Sequence, residues 1–426
     1  MSGLRPAAAL VALLVLSACG QDMGMGPQPV PEGGNKDKAR GPATTVLAGI
    51  DQLELENGGT LRGRKVGLVL HGASVTVDGR PTVDALRAKG VDVVRLFAPE
   101  HGVKGTAAAG EKIAGGKDEA TKLPVVSLYG DKNKPSAEDL KGLDALVVDL
   151  QDAGVRFYTY SSTMLHCLDA AAENGVEIVV LDRPNPLGGE RVEGPVSAPR
   201  DRVPASLVNM APGPLVHGLT LGEMARYVNA RKDKPARLSV VPLRGWKRTM
   251  HWAETGRQWV PPSPNLRTPE AAMAYPGTAL VEATNVSEGR GTEAPFLLVG
   301  APWLKPELIV AAVKVPGFGM EPTTFTPARS PAAPEPKHLD KASPGVRIKV
   351  ADAHAAQPYL LGVALLHALR QQPGFQWRSE GALDRLSGTR RLREELEKGT
   401  APDAIVALDQ AAIKAWKEDR LKSLLY

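Results

Sequence analysis

Val91-Asp92-Val93-Val94-Arg95-Leu96-Phe97-Ala98-Pro99-Glu100-His101-Gly102 passes from an apolar, β-branched run straight into an acid, an imidazole and a turn glycine. The run is short and bounded by turn residues, as a buried strand of a parallel sheet is. Three more runs end alike. Val66–Leu70 leads into His71-Gly72, and Leu146–Leu150, carrying Asp149, leads into Gln151-Asp152-Ala153-Gly154-Val155-Arg156. Ile178–Leu181 leads into Asp182-Arg183-Pro184-Asn185-Pro186. Ligands of open parallel sheets bind outside the carboxyl ends of the strands, so four polar strand ends on one edge read as a site.

Around these runs, strand-like and helical segments alternate from about residue 48 to about residue 229, the pattern of βαβ units. Strands are expected at Val66–Leu70, Val91–Phe97, Val125–Leu128, Ala145–Leu150, Glu177–Leu181 and Leu238–Leu243. Helices are expected near Thr82–Lys89, Ala137–Lys141, Thr163–Glu173 and Leu221–Ala230, the last with a capping box of Thr220 and Glu223. Pro261-Pro262-Ser263-Pro264-Asn265 then forms a rigid hinge. Beyond it come helical patterns at Lys305–Lys314 and Pro358–Gln371, a strand at Val346–Val350, an exposed Pro/Ala-rich loop over Pro327–Pro336 and a charged helical tail. The fold class is therefore α/β: a mostly parallel sheet domain over residues 46–266, followed by a second domain of mixed helices and strands over residues 267–426.

A chain of 426 residues exceeds one ordinary core, and its hydrophobic fraction of 43% and charged fraction of 23% are those of a globular protein. The net charge of +5 is dispersed, and no nucleic-acid motif occurs. At the start, Arg5 precedes an apolar run, Ala7 to Leu16, too short to span a bilayer and fitting a signal-peptide core. Leu16-Ser17-Ala18-Cys19 resembles a bacterial lipobox, which implies a lipoprotein signal peptide over residues 1–19, cleaved before Cys19, and lipidation of its thiol. Residues 20–45 read as a flexible tether. Gly20 after the cysteine suggests outer-membrane sorting by the same resemblance. The expected location is the periplasmic face of the bacterial envelope or the cell surface. With Cys19 lipidated, Cys167 is left alone in an apolar helix as a packing residue.

Nucleotide, hydrolase-elbow and zinc signatures are missing: the turn after Leu70 lacks the glycine spacing for a pyrophosphate, and neither GxSxG nor HExxH occurs. No cofactor and no metal is expected. Carboxylates remain: Glu100, Glu111, Asp149, Asp152 and Asp182. Glycoside hydrolysis needs an acid for the leaving oxygen and a second group at the anomeric carbon. Asp149, inside an apolar strand, needs a cationic partner, either Arg156 or Arg183. His71 and His101 can orient a carboxylate or meet a sugar, and Tyr158 and Tyr160 can line a sugar cleft or simply pack.

Several strings carry a resemblance. Ala98-Pro99-Glu100-His101-Gly102, Ala109-Gly110-Glu111, Asp149 through Tyr160, and Leu181-Asp182-Arg183-Pro184-Asn185-Pro186 resemble the exo-β-N-acetylmuramidases of the NamZ family, formerly DUF1343. So do Pro262-Ser263-Pro264-Asn265, Tyr275-Pro276-Gly277-Thr278, Thr284-Asn285-Val286-Ser287-Glu288-Gly289-Arg290-Gly291-Thr292 and the ending Ser423-Leu424-Leu425-Tyr426. The resemblance covers residue 46 to the end. It implies a Rossmann-like N-terminal domain, a smaller α+β C-terminal domain, a cleft between them and release of terminal N-acetylmuramic acid (MurNAc) from the non-reducing ends of peptidoglycan fragments. It implies Glu100 as the general acid, with Glu111 and Tyr158 on motif positions of unassigned role. The candidate substrate-binding residues are His71, His101, Asp149, Arg156, Asp182, Arg183, Asn185, Asn285, Glu288 and Arg290. Glu293 departs from the family's run of small polar residues. Two alternatives stay open: a sugar- or muropeptide-binding lipoprotein without catalysis, and a metal-dependent hydrolase using His71, His101, Asp149 and Asp152.

Overall fold

The computed structural model describes residues 45–197, 203, 206–379 and 381–426. The expected signal peptide, Cys19 and nearly all of the tether lie outside the described residues. The strands, in chain order, are β1 Lys65–Leu70, β2 Asp92–Ala98, β3 Gly116–Lys117, β4 Pro124–Ser127, β5 Ala145–Asp149, β6 Glu177–Leu181, β7 Glu193–Val196, β8 Pro214–Val216, β9 Leu238–Val241, β10 Leu298–Gly300, β11 Phe318–Phe325 and β12 Ser343–Val350.

Seven of them form the central sheet in the order β3-β4-β2-β1-β5-β6-β9, parallel except for the short β3–β4 pair. The sheet is buried on both faces, which is why its strands read as nearly unbroken apolar runs. Alternate residues go to opposite cores: Val69, Phe97, Leu146, Val148, Ile178 and Val180 to one, Val66, Leu68, Val147, Val179 and Leu181 to the other. Register sets Leu70 beside Asp149 and Val69 beside Phe97, so the segments after β1, β2 and β5 emerge level. The helix after β5 begins at Thr159, four residues before the expected start, and ends at Asn174 with Gly175 in the left-handed conformation. The expected capping box is present: Thr220 Oγ1 accepts from the Glu223 amide at 3.2 Å, and Glu223 Oε2 accepts from the Thr220 amide at 3.0 Å.

The C-terminal half carries a three-stranded antiparallel sheet, β10-β12-β11. Val299, Val346 and Ile348 pack with Leu361 and Leu365 of the helix Pro358–Arg370 in a third core. The two halves are knitted together: residues 43–426 form one compact unit. The chain end shows how. Tyr426 returns to the parallel sheet, where its hydroxyl donates to Asp182 Oδ2 at 2.8 Å and accepts from the Leu243 amide at 2.8 Å.

Candidate active site

The turn after β2 places Glu100. His101 and Gly102 both adopt positive φ, 71° and 76°, the tight reversal that Pro99 and Gly102 prepare. Gly72 lets this loop approach the end of β1, since a Cβ there would lie 2.4 Å from the Lys104 carbonyl oxygen. Glu100 is 8% exposed and held at both oxygens. Oε1 accepts from the Gly110 amide at 2.9 Å, and Oε2 accepts from the Thr159 hydroxyl at 2.6 Å. The Tyr160 hydroxyl donates to the Pro262 carbonyl at 2.9 Å and reaches the Glu100 carbonyl at 3.2 Å, tying the turn to the hinge segment. Burial, then the nearby Glu100 carboxylate and its hydrogen bond, push the Tyr129 phenol upward, so Tyr129 faces Glu100 as a protonated donor.

Glu100 opens onto a cleft of about 620 Å³ that draws on both halves of the chain. Phe157, Tyr158, Tyr275 and Phe296 form apolar walls, packed edge to face with ring centroids 4.6–6.1 Å apart. His101, Tyr129, Glu282 and Arg290 supply polar edges. An aromatic cradle with few charged groups suits a pyranose ring. Next to it, a wider groove of about 770 Å³ shares Ala109, Glu282 and Arg290 and continues past Glu288 and Lys337. The Pro/Ala-rich segment expected to be an exposed loop forms part of this groove: Ala333 and Pro336 are buried, and the Ala332 carbonyl accepts from Asn265 at 2.8 Å.

Arg290 is the expected arginine that faces the cleft. It pairs with Glu282 at 2.8 Å and Glu288 at 3.3 Å, and its guanidinium sits 5.1 Å from the Phe296 ring centroid. Lys337 also pairs with Glu288, at 3.0 Å. Burial opposes the charge on Glu288, but Lys337 and Arg290 hold its carboxyl below its ordinary value. Burial lowers the His101 pKa, with Arg290 adding to the effect against Glu100, and its Nδ1 meets the Ala107 carbonyl at 2.8 Å. Glu111 is exposed, accepts from the Ala108 amide at 2.8 Å and lines a neighbouring groove with His101.

The other expected substrate-binding residues are turned inward and hydrogen-bonded within the protein. Arg156 is fully buried and donates to the carbonyls of Pro195 at 2.7 Å, Gly213 at 2.8 Å and Ser387. It knots three chain segments together and leaves no fork for a ligand. Arg183, not Arg156, is the partner of Asp149, with Nε 2.6 Å from Oδ1 and Nη2 2.8 Å from Oδ2, while Thr82 donates to the same carboxylate. His71 Nε2 accepts from the Gln151 amide at 2.9 Å; burial, then Arg183, holds it neutral. Asp182 accepts from Thr220 at 2.6 Å, the Gly222 amide at 2.8 Å and Tyr426. Asn185 donates to the Leu219 carbonyl at 2.9 Å and accepts from the Leu187 amide at 2.9 Å. Asn285 binds the Gly374 carbonyl and the Gln376 amide, at 2.8 and 2.9 Å. A small cavity of about 390 Å³ lies over this cluster, bordered by Gln151, Arg183, Trp252 and Arg257, and it shares no residue with the Glu100 cleft.

Cys167 is buried, and burial alone pushes its thiol upward, as a packing residue requires. Glu293 pairs with Arg347 on the surface at 2.8 Å, outside the cleft. His71, His101, Asp149 and Asp152 do not gather as a metal-ligand group among the described residues. Thr159, Tyr129, Ser263, Tyr275, Phe296 and Glu282 line the cleft without having been singled out as site residues. Tyr129 carried a signal as the residue following the run Val125–Leu128 at the same sheet edge, and Thr159, Ser263 and Tyr275 lie in the strings that carry the resemblance.

Residues 66–270 match the N-terminal part of the exo-β-N-acetylmuramidase NamZ, and residues 273–426 match its C-terminal part. The chain belongs to the NamZ family. It is 38% identical over 387 residues to the peptidoglycan β-N-acetylmuramidase NamZ of Bacillus subtilis strain 168, covering 89% of this chain and 91% of that protein. The fold agrees with crystal structures of two DUF1343 family proteins from Bacteroides fragilis. One aligns with a TM-score of 0.80 at 32% identity, over 90% of this chain and 100% of that one. The other aligns with a TM-score of 0.72 at 30% identity, over 90% and 99%. The Glu100 cleft therefore sits in a glycoside hydrolase scaffold.

Proposed function

We propose that this protein is an exo-acting muramidase that removes terminal MurNAc from peptidoglycan fragments, with Glu100 as general acid. The observation that carries the proposal is a buried glutamate, fixed at both oxygens on an aromatic cleft wall, in a NamZ-family chain. The Gly110 amide can only donate, so Oε1 is a permanent acceptor. The Thr159 hydroxyl can turn to accept, so Oε2 is the oxygen able to carry the proton to the leaving group. Glu282 is the other carboxylate of the cleft wall, and Arg290 engages it. This pairing favours the substrate's own 2-acetamido oxygen as the group that attacks the anomeric carbon, rather than a protein carboxylate. Arg290 is the proposed reader of the lactyl carboxylate, through guanidinium hydrogens beyond those held by Glu282 and Glu288. A binding protein without catalysis is the reading against which this one is tested.

The test is turnover of a chromogenic MurNAc glycoside against its GlcNAc counterpart by a soluble form starting after Asn35. Hydrolysis of the MurNAc glycoside with strong discrimination against GlcNAc is expected. Equal turnover of both removes lactyl recognition, and no turnover of either leaves a binding protein. The proposed location is the periplasmic face of the envelope, anchored through Cys19. Cys19→Ala is expected to move the protein from the membrane fraction to the soluble one, and a variant that stays with the membrane sinks the anchor.

A further inference from the structure

Away from the Glu100 cleft, two imidazoles and a carboxylate from distant parts of the chain meet. His251 and Glu254 belong to the 3₁₀ turn Trp252–Thr255 and the residue that caps it, and His354 comes from the loop between β12 and the helix Pro358–Arg370. One ligand atom from each lies within 4.8 Å of the other two. His251 Nδ1 is 3.6 Å from Glu254 Oε2, and His354 Nε2 is 3.3 Å from Glu254 Oε1. Ligand atoms about 2.0–2.2 Å from a tetrahedral zinc ion stand roughly 3.3–3.6 Å apart, a spacing that each imidazole makes with one oxygen of the Glu254 carboxylate, His251 with Oε2 and His354 with Oε1. No other group of three His, Cys, Asp or Glu side chains has metal-ligand spacing among the described residues.

The second observation is an unpartnered ring nitrogen. His251 is 8% exposed, and its Nδ1 is shielded from solvent with no hydrogen-bond partner. A buried imidazole nitrogen without a partner is costly and calls for a ligand. The surroundings hold the donors in place. The Glu254 carboxylate is anchored by the His251 amide at 2.9 Å, and the His354 amide donates to Asp352 at 2.8 Å. Arg191 grips the Ala353 and His354 carbonyls at 2.7 and 3.3 Å, while Glu193, 3.4 Å away, offsets its charge.

We propose that His251, Glu254 and His354 form a binding site for a divalent transition cation of the zinc class. His354, with 62% of its side chain exposed, opens the fourth position to water in a groove that shares no residue with the Glu100 cleft. The site links the turn at 251–255 to the loop at 352–357 and stands apart from the Glu100 cleft. Imidazole donors select against hard cations.

Zinc alone is the probe, titrated into the purified protein against a chromophoric zinc chelator, with thermal denaturation as a second readout. One equivalent is expected to bind, to resist millimolar Mg²⁺ or Ca²⁺, and to raise Tm by a few degrees. His354→Ala, at an exposed position that leaves folding intact, should weaken binding at least about tenfold and abolish the Tm shift; Glu254→Gln should do the same. His166→Gln, outside the cluster, should change neither. Absence of saturable binding at micromolar zinc, or equal affinity and Tm shift in His354→Ala, overturns the site.

Discussion

The carboxyl edge of the central sheet has two halves with opposite characters. Over β1, β5 and β6, His71, Asp149, Asp182, Arg183 and Asn185 satisfy one another or nearby backbone groups. Over β2 and β4, Glu100, His101 and Tyr129 face a cleft completed by Tyr275, Glu282, Arg290 and Phe296 from the C-terminal half. The strand order reverses between β1 and β5, the crevice where ligands of open α/β sheets commonly bind. Here the hydrogen bond from the Gln151 amide to His71 Nε2 crosses that crevice, and Tyr160 packs edge-on against His71 with centroids 4.8 Å apart. The Glu100 cleft opens one strand away, after β2. Polar residues at strand ends mark an edge; what separates site from scaffold is whether a hydrogen-bonding face remains for a ligand.

The largest expected effect breaks the open half. Glu100→Gln keeps the shape and an acceptor for the Gly110 amide but removes the proton, and kcat should fall by about 10²–10⁴. The loss should shrink on a nitrophenyl glycoside, whose leaving group needs little protonation. A uniform loss across leaving groups turns Glu100 into a positioning residue, and near-normal activity on natural substrate removes it from catalysis.

The matching change in the closed half should act on stability. Asp149 is fully buried, so Arg183→Met strands an unpaired carboxylate and should cost about 3–5 kcal/mol in urea denaturation. The pair Arg183→Met with Asp149→Leu should recover much of that loss. A kcat defect in the still-folded single variant, without the stability loss, would falsify the scaffold assignment.

Asp152 sharpens the same contrast through pH. Burial raises its carboxyl from 3.8 to about 7, outweighing the Gly154 and Ala153 amides. Between about pH 4 and 7 the folded chain keeps a proton that the unfolded chain has released, so this group's contribution to stability falls as pH rises through that window. Asp152→Asn should therefore be more stable than the parent at pH 8, by on the order of 1–3 kcal/mol, and equal to it near pH 4. Equal stability of the two at both pH values contradicts the buried neutral acid.

The smallest expected change returns to the cleft. Arg290→Lys keeps a charge beside Glu282 and Glu288 but loses the fork, and KM for MurNAc glycosides should rise by about tenfold or more while GlcNAc glycosides are unaffected. Arg183→Lys should leave that preference untouched. A shift in preference with Arg183 and none with Arg290 would exchange the roles of the two halves.

By itself the sequence determined the sheet. The central strands β1, β2, β5 and β6 are short apolar runs largely buried between two layers, and that local pattern forces the class of fold wherever the chain closes on itself. It also marked Glu100, because an acid behind Pro99 and before a turn glycine can emerge only at a strand end. Arg156, Arg183 and Arg290 are another matter: all three follow motif-bearing segments and look alike in one dimension. Only tertiary structure decided among them, through partners 39 to 231 residues away for Arg156, Asp149 for Arg183 and an open cleft for Arg290. Tyr426 makes the same point, since its partner Asp182 stands 244 residues earlier. Strand-forming pattern is a property of neighbours in sequence. Whether a polar group is satisfied or left free depends on groups that folding brings from elsewhere.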